Sequence, residues 1–164
     1  VLTIWATVVA ESLFNLSLEE CLTFGSAVAS HVSKGKGESL GIYEKGSDVD
    51  PLPSADRYTL LDQIIHAKKS SAGIIIALDA SGKAIDYHRT WHLLQKRFGD
   101  SLPYVIREMR SCAKQAGDSL STTAYRCYMS FRPVIPKGTK GWGAHGALRL
   151  GELKSFYDSK PSAS

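Results

Sequence analysis

Apolar positions recur at helical spacing along most of the chain. Over residues 3–14, Ile4, Trp5, Val8, Val9 and Leu13 mark an amphipathic helix with a broad buried face, which Asn15 and Leu16 end. Ser17 and Glu20 then form a capping box, because the serine oxygen can accept the Glu20 amide while the carboxylate reaches back. A second helix is predicted from Leu18 to about Val32, lined by Cys21, Leu22, Gly25, Val28 and Ala29. Glycine inside a helix costs about 1 kcal/mol, so Gly25 predicts a close approach of a neighbouring element.

Residues 33–41 read as a basic, glycine-rich turn. The proline- and aspartate-bearing stretch after it gives an exposed loop over 42–57. Residues 58–67 suit a short helix. The run Gly73–Leu78 is compatible with a strand or a buried helical turn, and periodicity does not separate them. Asp86 is a good N-cap for the clearest helix, with Tyr87, Trp91, Leu94 and Phe98 as its stripe and Gly99 as its stop. Pro103 suits the first turn of the next helix, which buries Val105, Ile106, Met109, Cys112, Ala113 and Ala116 up to Gly117. Another begins near Thr122, buries Ala124, Tyr125, Tyr128 and Met129, and ends before Pro133.

The predicted fold is mainly α. It is a compact bundle of five or six helices with a long loop, an irregular Gly/Trp C-terminal segment and room for a minor two-stranded element. Residues 1–158 form one domain, 133–147 a Gly/Pro-rich loop and 159–164 a frayed tail. No internal repeat or interdomain linker stands out.

Composition narrows the class. The chain has 164 residues, 43% of them hydrophobic and 22% charged, values of a globular domain that needs no disulfide staples. Three cysteines, Cys21, Cys112 and Cys127, all fall in apolar-periodic stretches and read as buried thiols, which fits a cytoplasmic or nuclear protein. No apolar run approaches the roughly 20 residues of a membrane span. The net charge of +4 and pI near 9.0 are compatible with a polyanionic partner.

The motifs are incomplete. Gly141-Trp142-Gly143-Ala144-His145-Gly146 has the dinucleotide-loop spacing, but prolines rather than a strand precede it and no acidic residue follows at the required distance in the sequence, so a Rossmann site is not expected. No Gly-Lys-Ser or Gly-Lys-Thr completes a phosphate loop. His88 and His92 share one helix face, yet residue 89 is arginine, not the glutamate of a zincin, and no third ligand is indicated. Ser26 lacks the flanking glycine of a nucleophile elbow. No catalytic residue, metal or cofactor is therefore expected.

What remains is basic residues beside an aromatic ring. Lys137, Lys140, Trp142, His145 and Arg149 near the C-terminus, with Lys34 and Lys36 in the 33–41 turn, form the candidate polyanion site. Lysines would pair with phosphates and the indole would stack on a base. Arg89, Lys96 and, less closely, Arg97 lie opposite or beside the 87–98 stripe, as a solvated face or as a recognition helix.

Two stretches resemble an uncharacterised family of small, mainly helical proteins. One is Ser17–Ala29 (SLEECLTFGSAVA) leading into Ser33–Ile42 (SKGKGESLGI). The other is Phe131–Pro136 (FRPVIP) followed by Gly141, Trp142 and Gly143. The resemblance implies no activity, only that the two loops act together as one surface. The expected function is a non-catalytic domain binding nucleic acid or another phosphate-rich ligand. A protein-interaction scaffold and a small-molecule enzyme with a site assembled from distant residues are the alternatives.

Overall fold

The computed structural model describes residues 1–39 and 56–131, without the side chains of 34–39 and 129–131. Eight regular elements follow in order: α1 (Leu2–Phe14), α2 (Leu18–Ser39), β1 (Asp56–Leu60), β2 (Gln63–Lys69), β3 (Ile75–Ala77), α3 (Tyr87–Phe98), α4 (Leu102–Ala116) and α5 (Leu120–Phe131). The protein is mainly helical, with a small antiparallel sheet of order β1-β2-β3.

Helix α1 is the hub. Every residue from Ile4 to Ala10 is buried, because α2, α4, α5 and β1 all pack on it. It is thus enclosed rather than amphipathic, and Leu13 lies outside the buried band at 37% exposure. Trp5 donates its indole N–H to the Ala124 carbonyl of α5 at 2.9 Å, which satisfies the ring's polar atom inside the core. Glu11 takes a two-pronged ion pair from Arg110 of α4 at 2.8 and 2.9 Å. Gly25 of α2 sits against α1, and a β-carbon there would collide with the Thr7 hydroxyl and the Thr3 carbonyl. The close approach expected from the sequence is present.

The capping box forms as expected. Glu20 N–H donates to Ser17 Oγ at 3.3 Å, and Ser17 N–H donates to Glu20 Oε1 at 3.1 Å. Helix α2 then runs past Val32 to Ser39, through the segment expected to be a turn. Gly35 and Gly37 weaken those turns without stopping them, since each residue added to an existing helix gains a hydrogen bond without a new nucleus.

Residues 58–67 are not a helix. They belong to the β1–β2 hairpin, and Asp56 and Arg57, assigned to the preceding loop, are its first residues. The hairpin closes through Leu61 and Asp62, both at positive φ (49° and 61°), which is the backbone of a two-residue primed turn. Glycine or asparagine usually signals that turn. Neither is present, and the hairpin is hidden from pattern reading. The 73–78 run resolves as β3, paired to β2 with Ala67 opposite Ala77. The sheet therefore has three strands where at most two were expected. Its inner face carries Tyr58, Ile65 and Ala77, and Tyr58 meets Phe14 and Phe24 edge-on at 5.1 and 4.8 Å.

Helix α2 also guards the edge of β3. An edge strand exposes unpaired amides that invite aggregation. Here Ile75 N–H donates to Glu20 Oε2 at 2.9 Å, and Ala77 N–H to Thr23 Oγ1 at 3.0 Å. Just beyond the strand, Ala80 N–H donates to Ser30 Oγ at 3.3 Å. Positions 20, 23 and 30 fall on one helical face, so side chains of α2 occupy the place of a fourth strand.

Helices α3 and α4 match expectation. Asp86 caps α3 by accepting from His88 N–H at 3.0 Å, and Gly99 ends it at φ 53°. All six core positions expected of α4 are buried. Helix α5 begins at Leu120, slightly earlier than expected, and Tyr125 is exposed where burial was expected. The corners α3–α4 and α4–α5 are twins. Each is Gly-Asp-Ser-Leu, with glycine at φ 53° followed by a short 3-10 turn, and with Leu102 or Leu120 buried. The chain therefore does hold a short repeat, too brief to stand out in a scan of long periods.

Candidate polyanion-binding face

Helix α3 is seated shallowly. Of its twelve residues only Thr90 and Leu94 are buried, while Tyr87, Trp91 and Phe98 are half-buried. His88, Arg89, His92, Leu93, Gln95, Lys96 and Arg97 are exposed. The segment Tyr87–Phe98 contains no aspartate or glutamate, so its solvent-facing arc is basic or neutral throughout. The His88 ring lies on Tyr87 with centroids 4.0 Å apart. Lys96 and Arg97 also fall in the last turn, where the helix dipole favours cations.

The neighbouring α4 is different. Arg110 is held by Glu11, and Arg107 lies 3.8 Å from Glu108 and over the Tyr104 ring at 5.4 Å. Lys68 and Lys69 are exposed at the end of β2.

A shallow cleft of about 140 Å³ is lined by His31, Ile64, His66, Leu78 and Asp79 among others. Small-molecule sites usually occupy roughly 300 Å³ or more. The Asp79 carboxylate is occupied within its own turn. Its Oδ1 accepts from Ser81 Oγ at 2.6 Å, Ser81 N–H at 2.9 Å and Lys83 N–H at 3.0 Å. Partial burial alone would raise its pKa, but those hydrogen bonds and the Lys83 charge hold it below the usual carboxylate value. Among the described residues no three His, Cys, Asp or Glu side chains gather as a metal site. The three cysteine thiols are buried. Burial, followed by the charges of Glu11 and Glu20, pushes the Cys21 thiol up to about 12, far from the thiolate a nucleophile needs.

Of the residues expected to bind, Lys34 and Lys36 fall in the last turns of α2, one turn and more beyond Ser30, and their side chains lie outside the described set. Lys137, Lys140, Trp142, His145 and Arg149 lie outside the described residues altogether, as do the 133–147 loop and, apart from Phe131, the second resembling stretch. His88 and His92 share a face as the spacing required. The α3 arc was legible in part, since Arg89 and Lys96 stood out beside the stripe. Its purity was the signal left unread.

No helix among the described residues is long and apolar enough to cross a membrane. No protein-family model matches the chain, and comparison with curated proteins and with solved structures finds no similar one.

Proposed function

We propose that the chain is a non-catalytic domain that binds nucleic acid or another phosphate-rich polyanion. The observation that carries this reading is the α3 arc, where Arg89, Lys96 and Arg97 stand in solvent on a helix without a carboxylate. Polyanion binding draws its affinity from such cations, because each neutralised phosphate releases condensed counterions. Lys34, Lys36, Lys137, Lys140, Trp142, His145 and Arg149 belong to the same reading, as further phosphate contacts and one stacking ring.

The test is fluorescence anisotropy with a labelled single strand and a labelled duplex, at about 50 and 200 mM salt, bracketing the range over which phosphate contacts weaken. Binding should fall with salt, and the combined variant Arg89→Ala, Lys96→Ala, Arg97→Ala should flatten the log–log slope by up to about 3. A parallel Lys140→Ala, Trp142→Ala variant reports on the C-terminal set. Absence of binding at low salt would remove the proposal.

A further inference from the structure

Resting on that reading, the geometry points to the class of polyanion: α3 is shaped to enter the major groove of B-form DNA. At 100° per residue, the exposed residues of α3 cover about 200° of its circumference. Lys96 lies at the crest, His88 and His92 on one flank, and Arg89 and Arg97 toward the other. A flat anionic surface engages only the crest of a helix. Hydrogen-bonding side chains on both flanks are useful where phosphates stand on both sides, as the two backbones do along a groove.

Size agrees with this placement. Twelve residues span about 18 Å, and a helix with its side chains is roughly 10–12 Å across, the width of the B-DNA major groove. The major groove of A-form RNA is too deep and narrow to admit it. The exposed chemistry suits base edges as well. Arg89 and Lys96 can donate to guanine O6 and N7, and Leu93, 56% exposed, offers an apolar contact for a thymine methyl. The carboxylates nearest in sequence are at its two ends, Asp86 in the N-cap and Asp100 in the following turn. Helix α4 does not compete for the groove, since its Arg110 is committed to Glu11 and its arc includes Glu108.

The experiment uses the full chain and three labelled probes of mixed sequence at equal salt: a 20-base-pair DNA duplex, the matching RNA duplex and single-stranded DNA. Probe length here is set to about two helical turns of DNA. DNA duplex should bind about tenfold tighter than RNA duplex, the size of one good groove contact. Dimethyl sulfate should report protection of guanine N7 in the major groove and leave adenine N3 in the minor groove reactive. Arg89→Ala with Lys96→Ala should abolish the N7 protection while thermal melting of the protein stays unchanged, since both side chains are exposed. Equal binding to DNA and RNA duplexes, or protection of N3 rather than N7, would overturn the groove placement and leave polyanion binding standing. Absence of binding to all three probes would overturn both.

Discussion

Replacing Gly25 with alanine sets two known effects against each other at one position. Alanine improves helix propensity by about 0.8–1 kcal/mol over glycine, so at an open site Gly25→Ala would stabilise α2. The site is not open. The new methyl would overlap the Thr7 hydroxyl and the Thr3 carbonyl. The hydroxyl has little freedom to retreat, because it donates to that same carbonyl at 2.7 Å, and the carbonyl is main chain of α1. Relief therefore requires α1 and α2 to move apart inside the core that both helices share. Overpacking of this kind costs 1–3 kcal/mol typically, and main-chain collision places it at about 3, so the net destabilisation is about 2 kcal/mol. For a chain of this length that lowers Tm by about 4–8 °C. Urea unfolding followed by far-UV circular dichroism would measure it, with the midpoint moving and the slope constant. Thr7→Ala in the same chain removes one of the two collisions and should recover part of the loss, the remainder belonging to Thr3. A Gly25→Ala protein as stable as the parent, or more so, would refute the packing argument.

Other changes test other joints. Thr23→Val keeps shape but leaves the buried Ala77 amide without its acceptor, which should cost about 1–3 kcal/mol and speed hydrogen exchange at Ala77, whereas Thr23→Ser should retain the bond. Glu20 is partly buried, which alone would raise its pKa, but hydrogen bonds from Ile75 and Ser17 outweigh this and lower it. Its stabilising contribution, like that of Asp79, is present above the unfolded carboxyl pKa and is lost as pH falls through the depressed folded value. Acid titration of stability should therefore show a loss beginning near pH 4.5, the ordinary glutamate value, and Glu20→Gln should shrink it. Asp62→Gly relieves an exposed residue held at φ 61° and should be neutral or stabilising by up to about 1 kcal/mol in the same urea assay.

Local chemistry that resides in adjacent residues was legible. Ser17 with Glu20, Asp86 with Gly99, and Pro103 ahead of a periodic run each mark a boundary through contacts within a few positions, and each boundary stands. Gly25 was legible because a penalised residue in a good helix needs a tertiary reason. The sheet was not legible. Its turn uses Leu61 and Asp62, whose left-handed backbone is held by the pairing of the strands around it and not by their own preference. Its edge is closed by Glu20, Thr23 and Ser30, polar residues that look like solvent-facing positions of α2 until β3 is placed beside them. The twin Gly-Asp-Ser-Leu corners were in plain view, but a four-residue repeat gains meaning only when both copies turn the chain in the same way.

Charge makes the same point at the scale of the whole molecule. A net charge of +4 spread evenly over 164 residues would say little about a partner. The distribution is far from even. The first 33 residues, which supply the hub helix and the start of α2, contain no lysine or arginine, whereas residues 87–116 carry six basic residues against two acidic ones. Packing divides that set again. Arg110 is spent on Glu11, where it joins α4 to α1, and Arg107 is balanced beside Glu108. Lys114 stands in the last turn of α4, and Arg89, Lys96 and Arg97 remain together on an arc without a carboxylate, on a helix that gives the core little more than one stripe. A solvated face that served solubility alone would tolerate mixed signs, and mixed signs are the common pattern on exposed helices. Helix α5 also lacks acids but carries a single arginine, so what sets α3 apart is the exposed cluster of Arg89, Lys96 and Arg97, and that cluster supports the proposed polyanion reading.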